Sequence, residues 1–294
     1  MDQTLLHRRT ECGRACGANA DDCRSALPFS ENYGPCGMKK IGMLFLLLGC
    51  FCTLLYADDD PALALDRWDL VFSDDFNGQR LDYHKWTPRD PWEVVRNDEL
   101  QAYVVKSFFP ENGILKISCD DRASFYDGAK RDYSSGMMTT LKSFSQLYGR
   151  FEIRCRVPKQ RGFWPAFWLL PEDLSWPPEI DILEILTEKP RKIYLTHHWA
   201  KPGHPKEYGG SITKELIGPD FSEDFHTFTL VWEKGSLKWY IDGVLKHEAT
   251  REVPDKAMFL LVNLAVGGWA VRPDQATGFP VYFEVDYVRA WKRK

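Results

Sequence analysis

From Trp68 onward, apolar and polar positions fall into short alternating or continuous runs broken by Gly, Pro and Asp, with almost no helical period. Asp69–Ser73, Gly113–Ser118, Arg150–Val157 and Ile193–Trp199 read as strands. Phe228–Trp232, Leu237–Ile241 and Val244–His247 form a predicted meander, its last turn marked by Asp242-Gly243. Many short strands joined by turn residues predict an all-β fold, a β-sandwich or jelly roll.

One run stands apart. Glu179-Ile-Asp-Ile-Leu-Glu184-Ile185 follows Pro177-Pro178 and places three carboxylates among apolar residues of a strand. Side chains on a strand alternate faces, so Glu179 and Asp181 share one face while Ile180 and Ile182 enter the core. Five is an odd offset and would send Glu184 into that core, where a charge is costly. A β-bulge near Ile182-Leu183 supplies the extra residue that returns Glu184 to the face of the other two acids. Four registered steps span about 13 Å, so the two Glu side chains must lean inward over Asp181. Such a cluster suits retaining glycoside hydrolysis, which needs one nucleophilic and one protonated carboxyl group roughly 5 to 5.5 Å apart. Crowded acids resist full ionisation, so one proton is expected to persist towards neutral pH. The same spacing also fits an acidic solvent-facing strand or a calcium ligand cluster.

Upstream, Gly162-Phe-Trp-Pro-Ala-Phe-Trp-Leu-Leu-Pro171 sets Trp164 and Trp168 on one face of a second strand. Sugar rings stack on indoles, although a core would also accept both. Trp164-Pro-Ala-Phe-Trp168 followed by Glu179-Ile-Asp-Ile-Leu-Glu184 resembles glycoside hydrolase family 16, in the bulged-strand branch that includes laminarinases, agarases and carrageenases. Asn97–Tyr103, Tyr133–Gly136, Tyr148–Glu152, Asn263–Gly268 and Val285–Arg289 resemble further family segments in the same order, so the likeness runs from about Arg67 to Trp291.

The resemblance implies a β-jelly-roll sandwich whose concave sheet carries the substrate cleft. It implies Glu179 as nucleophile, Glu184 as general acid and then base, and Asp181 as the group that steers Glu179. Trp164 and Trp168 would stack sugars on the non-reducing side of the cut, and Asn97 would bond sugar hydroxyls there. His198 would approach the acids or serve structure alone. Trp269 would border the cleft, although Gly268-Trp269-Ala270-Val271 departs from the family's Asn-Trp-Pro-Gly, and Met137 stands where laminarinases often carry Arg. Catalysis would require no cofactor. A structural calcium would be held away from the cleft by Asp75, the Gly113 carbonyl and Asp286, with ordinary surface acids as the alternative. The implied substrate is a polysaccharide, a laminarin-like β-1,3-glucan with mixed-linkage tolerance. Agar, carrageenan, a bacterial exopolysaccharide, transfer to a glycan acceptor, or sugar binding without catalysis are the rival readings.

Composition adds limits. Lys+Arg 38 against Asp+Glu 42 leaves a net charge of -4, which argues against a nucleic-acid partner. Eleven Trp among 14% aromatic residues exceed what a core needs, so some should line a surface. Nothing divides the chain into halves, and one domain over 67–294, as a monomer, is the expectation. Residues 1–37 carry Cys12, Cys16, Cys23 and Cys36 at no usual metal spacing and read as an extension ahead of the true start. Met38-Lys39-Lys40 and the apolar run after it read as an export leader over 38–57, followed by a linker over 58–66. Leu47-Leu48-Gly49-Cys50 resembles a lipobox, which would anchor the protein to a membrane by lipid; cleavage after Ala57 and an uncleaved anchor are the alternatives. All three export the domain, to the cell surface, periplasm or medium. Cys119 and Cys155 remain in the body, either paired across the sheet or as buried thiols.

Overall fold

A computed structural model describes residues 60–294. The expected extension, the leader and Cys50 lie outside the described residues. In chain order the strands are β1 Trp68–Asp74, β2 Gln101–Tyr103, β3 Phe108–Glu111, β4 Ile114–Cys119, β5 Ser124–Tyr126, β6 Ala129–Arg131, β7 Tyr133–Ser135, β8 Met137–Thr139 and β9 Gly149–Arg156. They continue with β10 Phe163–Pro171, β11 Glu179–Ile185, β12 Lys192–Lys201, β13 His204–Ile217, β14 His226–Glu233, β15 Ser236–Ile241, β16 Val244–Ala249, β17 Met258–Val266 and β18 Val281–Arg293.

Two antiparallel sheets form the sandwich. One runs β16-β15-β14-β9-β18-β4-β3 with β1 also on β18, and the other runs β13-β12-β11-β10-β17-β8. The predicted meander is β14-β15-β16. Its closing turn takes Asp242 and Gly243 to φ 50 and 77, the left-handed pair that a two-residue hairpin demands. The jelly-roll sandwich expected from the run pattern is therefore the fold.

Alternation builds the layers. On β9, Phe151, Ile153 and Cys155 enter the core, and on β17 Met258, Leu260, Val262, Leu264 and Val266 do the same. Each fully buried Phe, Leu or Ile contributes roughly 1.5–3 kcal/mol of transfer free energy. The other face of β17 brings Asn263 and Ala265 to the cleft, whose floor is the six-stranded sheet. Cys119 and Cys155 are free, buried thiols on strands that flank β18, so the pairing alternative falls away.

Residues 60–66, expected within a linker, are instead docked. Two 3-10 turns, Pro61–Leu63 and Leu65–Arg67, lie on the outer face of the eight-stranded sheet, where Ala62 and Leu63 pack on Trp68, Val231, Tyr240 and Trp291. Tyr240 donates to Asp60 Oδ2 at 2.7 Å, and Arg150 Nη1 donates to the Leu63 carbonyl at 2.9 Å. Apolar side chains and satisfied carbonyls hold this strap down.

Candidate active site

The bulge lies where the odd offset required it. Against β12, Asp181 pairs with Thr196 and Glu184 with Tyr194, so three steps on β11 meet two on its neighbour. Against β10, Leu183 pairs with Phe167 and Asp181 with Trp168, which leaves Ile182 as the extra residue. Ile182 and Leu183 both enter the core, and Glu179, Asp181 and Glu184 all line the cleft. The sheet thus presents three acids on one face.

Each glutamate has its own indole donor. Trp176 Nε1 donates to Glu179 Oε2 at 3.0 Å, and Trp164 Nε1 donates to Glu184 Oε1 at 3.1 Å. Burial pushes the Glu179 carboxyl well above the usual range, reinforced by repulsion from Asp181 and Glu184 and opposed by Trp176. Glu184 is raised by burial and by Asp181, and the Trp164 N–H opposes that rise. The pair therefore binds protons more tightly than free glutamates do. Below Asp181, Trp239 Nε1 donates to its backbone carbonyl at 2.9 Å and ties the bulge to the opposite sheet.

His198 Nε2 stands 3.6 Å from Glu179 Oε1 and 3.4 Å from Asp181 Oδ2. Among the described residues, Glu179, Asp181 and His198 are the one group of three His, Cys, Asp or Glu side chains close enough to share an ion.

A cleft of about 720 Å³ surrounds these groups. Trp164 and Trp168 both line it, yet they face different neighbours. Trp164 meets Trp269 edge to face at 5.5 Å, and Trp269 lies 4.4 Å from Tyr194. Trp168 instead donates through Nε1 to Asn263 Oδ1 at 2.8 Å, and Asn263 Nδ2 donates to Tyr103 Oη at 3.1 Å. Tyr103 then donates to Glu99 Oε2 at 3.2 Å, where Gln101 Nε2 also arrives at 2.7 Å. Asn97 lines this flank, its Nδ2 3.4 Å from Glu99 Oε1, so its amide is partly engaged within the protein. Met137 is buried in the apolar cluster beneath this flank.

The residues expected to hold calcium lie off the cleft. Arg154 Nη1 donates to Asp286 Oδ2, Arg289 Nη2 donates to Asp75 Oδ1 at 2.7 Å, and Gly113 sits in the β3–β4 turn beside Asp75 and Asn77. Both carboxylates thus give their charge to guanidinium groups. Each arginine takes one oxygen of its carboxylate.

Several lining residues escaped the sequence reading. Trp92, Arg96 and Glu99 come from the loop before β2 and Trp176 from the turn before β11, while the buried ring of Tyr194 on β12 packs against the lining residue Trp269. The even spacing of Tyr194, Thr196 and His198 on one strand is a signal that could have found the first; the loop residues carry no period.

The model of "Glycosyl hydrolases family 16" matches residues 98–289. The endo-1,3-1,4-beta-glycanase EglC of Rhizobium meliloti is 35% identical over 78% of this chain, and the glucan endo-1,3-beta-glucosidase of Cryptopygus antarcticus is 34% identical over 84% of this chain and 97% of its own length. This chain spans about half the length of EglC, 53% of it. The catalytic domain of a Thermotoga petrophila endo-1,3-beta-glucanase superposes with a TM-score of 0.70 at 35% identity, over 77% of this chain and 98% of that one. With the family match covering the bulged strand, its indole donors and the cleft floor, the chain belongs to glycosyl hydrolase family 16.

Proposed function

We propose that this protein is a retaining endo-β-glucanase that hydrolyses internal β-1,3 bonds of a glucan, with tolerance for mixed β-1,3-1,4 linkages. The observation that carries the reading is the bulged strand, which sets Glu179, Asp181 and Glu184 on one cleft face with an indole N–H on each glutamate. The names of the relatives, an endo-1,3-1,4-beta-glycanase and a glucan endo-1,3-beta-glucosidase, support the linkage class, and the second supports the glucan.

In the first step a Glu179 carboxylate oxygen attacks the anomeric carbon while Glu184 donates its proton to the leaving glycosidic oxygen. The Trp176 N–H favours the ionised form of Glu179, and burial favours the protonated form of Glu184. Asp181 and His198 border Glu179 and hold its carboxylate in place as its charge is consumed. In the second step Glu184, now a carboxylate, takes a proton from water, whose oxygen displaces Glu179 and restores the starting configuration. Endo action follows from position: the acids stand mid-cleft, with Trp92, Arg96 and Asn97 on one flank and Trp176 and Thr213 on the other.

Reducing-end release on laminarin, mixed-linkage β-glucan, agarose and carrageenan tests the reading, with Glu179→Gln alongside. Activity on laminarin that vanishes in the variant is expected. Activity confined to a galactan would overturn the substrate, and an active Glu179→Gln would overturn the nucleophile.

A further inference from the structure

A second bulge sits at the far edge of the cleft sheet. Along β12–β13, Trp199 pairs with Gly210 and Ala200 with Tyr208, so Gly209 is an extra residue on β13. A Cβ on Gly209 would meet the Ala200 carbonyl carbon and oxygen at 2.7 Å. Gly210 has φ +156, and a Cβ there would meet Trp199 Cζ2 at 2.8 Å. Only glycines fit this close approach.

The consequence concerns Tyr208. Ser211 pairs with His198 and therefore shares the cleft face, whereas Tyr208 stands at an odd offset of three from Ser211. The extra Gly209 resets the alternation and brings Tyr208 to the cleft face, as Ile182 does for Glu184. There its ring lies 5.6 Å from the Trp176 ring at an interplanar angle of 6°, and the His198 ring is 6.1 Å from each. Trp176 lines the cleft and Tyr208 stands behind it, yet they remain 47% and 46% exposed. A large half-exposed indole, held flat from behind and bonded through its N–H to Glu179, is built as a contact surface rather than as core.

We infer that Trp176 is the stacking wall of a saccharide subsite on the β12–β13 flank of the acids, and that Tyr208 is the positioning residue that holds it. The ligand is a pyranose ring of the β-glucan, received through its apolar C–H face; this rests on the function proposed above.

The test compares the parent protein with Tyr208→Ala and Tyr208→Phe. The measurements are kcat and KM on laminarin, product patterns from long and short β-1,3-gluco-oligosaccharides, and oligosaccharide binding by tryptophan fluorescence in a Glu179→Gln background. Tyr208→Ala is expected to raise KM on the long chain roughly three- to tenfold, with a smaller change in kcat. It should also move the preferred cut on oligosaccharides and leave the melting temperature unchanged. Tyr208→Phe keeps the ring and should behave as the parent, because the hydroxyl only reaches Ser211 Oγ at 3.0 Å. An active parent whose KM and product pattern are indifferent to Tyr208→Ala overturns the subsite alone, as does a Tyr208→Phe protein as impaired as Tyr208→Ala. A parent that neither cuts nor binds β-glucan overturns the functional reading and the sugar ligand with it.

Discussion

Trp164 and Glu184 are joined by one hydrogen bond, 3.1 Å from indole Nε1 to carboxyl Oε1, and that bond favours the ionised form of the acid. Trp164→Phe keeps a ring beside Trp269 but removes the donor. Hydrogen bonds to charged groups are worth about 1.5–3 kcal/mol, so the step that needs Glu184 as a carboxylate should slow by roughly 10- to 100-fold. The pKa of Glu184 rises further without its donor, and the alkaline limb of the kcat profile should move to higher pH. A pH–rate series on laminarin reads both effects; an unmoved limb would mean the bond does not tune the acid.

Glu179→Gln should be more stable than the parent at neutral pH. The folded-state pKa of Glu179 is raised, so its favourable contribution is complete below the unfolded value near 4.5 and is lost as pH rises through the folded value. Glutamine does not titrate. Melting temperatures from pH 4 to 8 should show the variant gaining a few degrees over the parent as pH rises, and no gain below pH 4.5.

Acid acts on a different pair. His197 is fully buried with Nε2 on the Arg251 carbonyl at 2.8 Å and Nδ1 without a partner, and burial holds its pKa below the usual 6.5. His247 stacks on Trp239 and is lowered by burial, with His197 and Lys214 adding to it. A depressed histidine keeps its stability above the unfolded pKa and loses it as pH falls through 6.5, because the unfolded chain takes the proton first. Replacing both by Gln should flatten the fall in melting temperature between pH 6.5 and 5 relative to the parent.

Guanidinium groups neutralise Asp75 and Asp286 on the outer sheet. Melting in calcium and in a chelator should therefore agree closely, whereas Arg154→Ala should lower the melting temperature of both samples. A large calcium-dependent rise in the parent would show that the arginines give way to the ion.

Burial also pushes the Cys119 and Cys155 thiols upward. In protein starting at Asp60, neither should react with a thiol reagent until denaturant is added, after which both should.

Local rules carried the reading of β11 because its fault was local: one odd offset in five residues admits one repair. They carried the meander for the same reason, since Asp242-Gly243 dictates its own turn. Trp92, Arg96 and Trp176 were invisible because loops bring them to the cleft and no period marks a loop. Tyr194 meets Glu184 only through cross-strand register, which depends on where the bulge falls. Tyr208-Gly209-Gly210 did carry a signal, two glycines in an otherwise strand-like run, but its meaning depends on what packs behind it. The docking of residues 60–66 was missed because Ala62 and Leu63 are too few to show a pattern until Trp68, Tyr240 and Trp291 supply the surface.

The Asp60–Tyr240 bond fixes more than a strap. Asp60 meets the sandwich on the sheet opposite the cleft, so a support coupled at Asp60 itself pulls on the back of the described domain. In protein beginning at Asp60, a bead coupled to that end sits on the face away from the mouth and leaves it open to long polymer. The same attachment made at the cleft rim would stand in the path of the chain it was meant to receive.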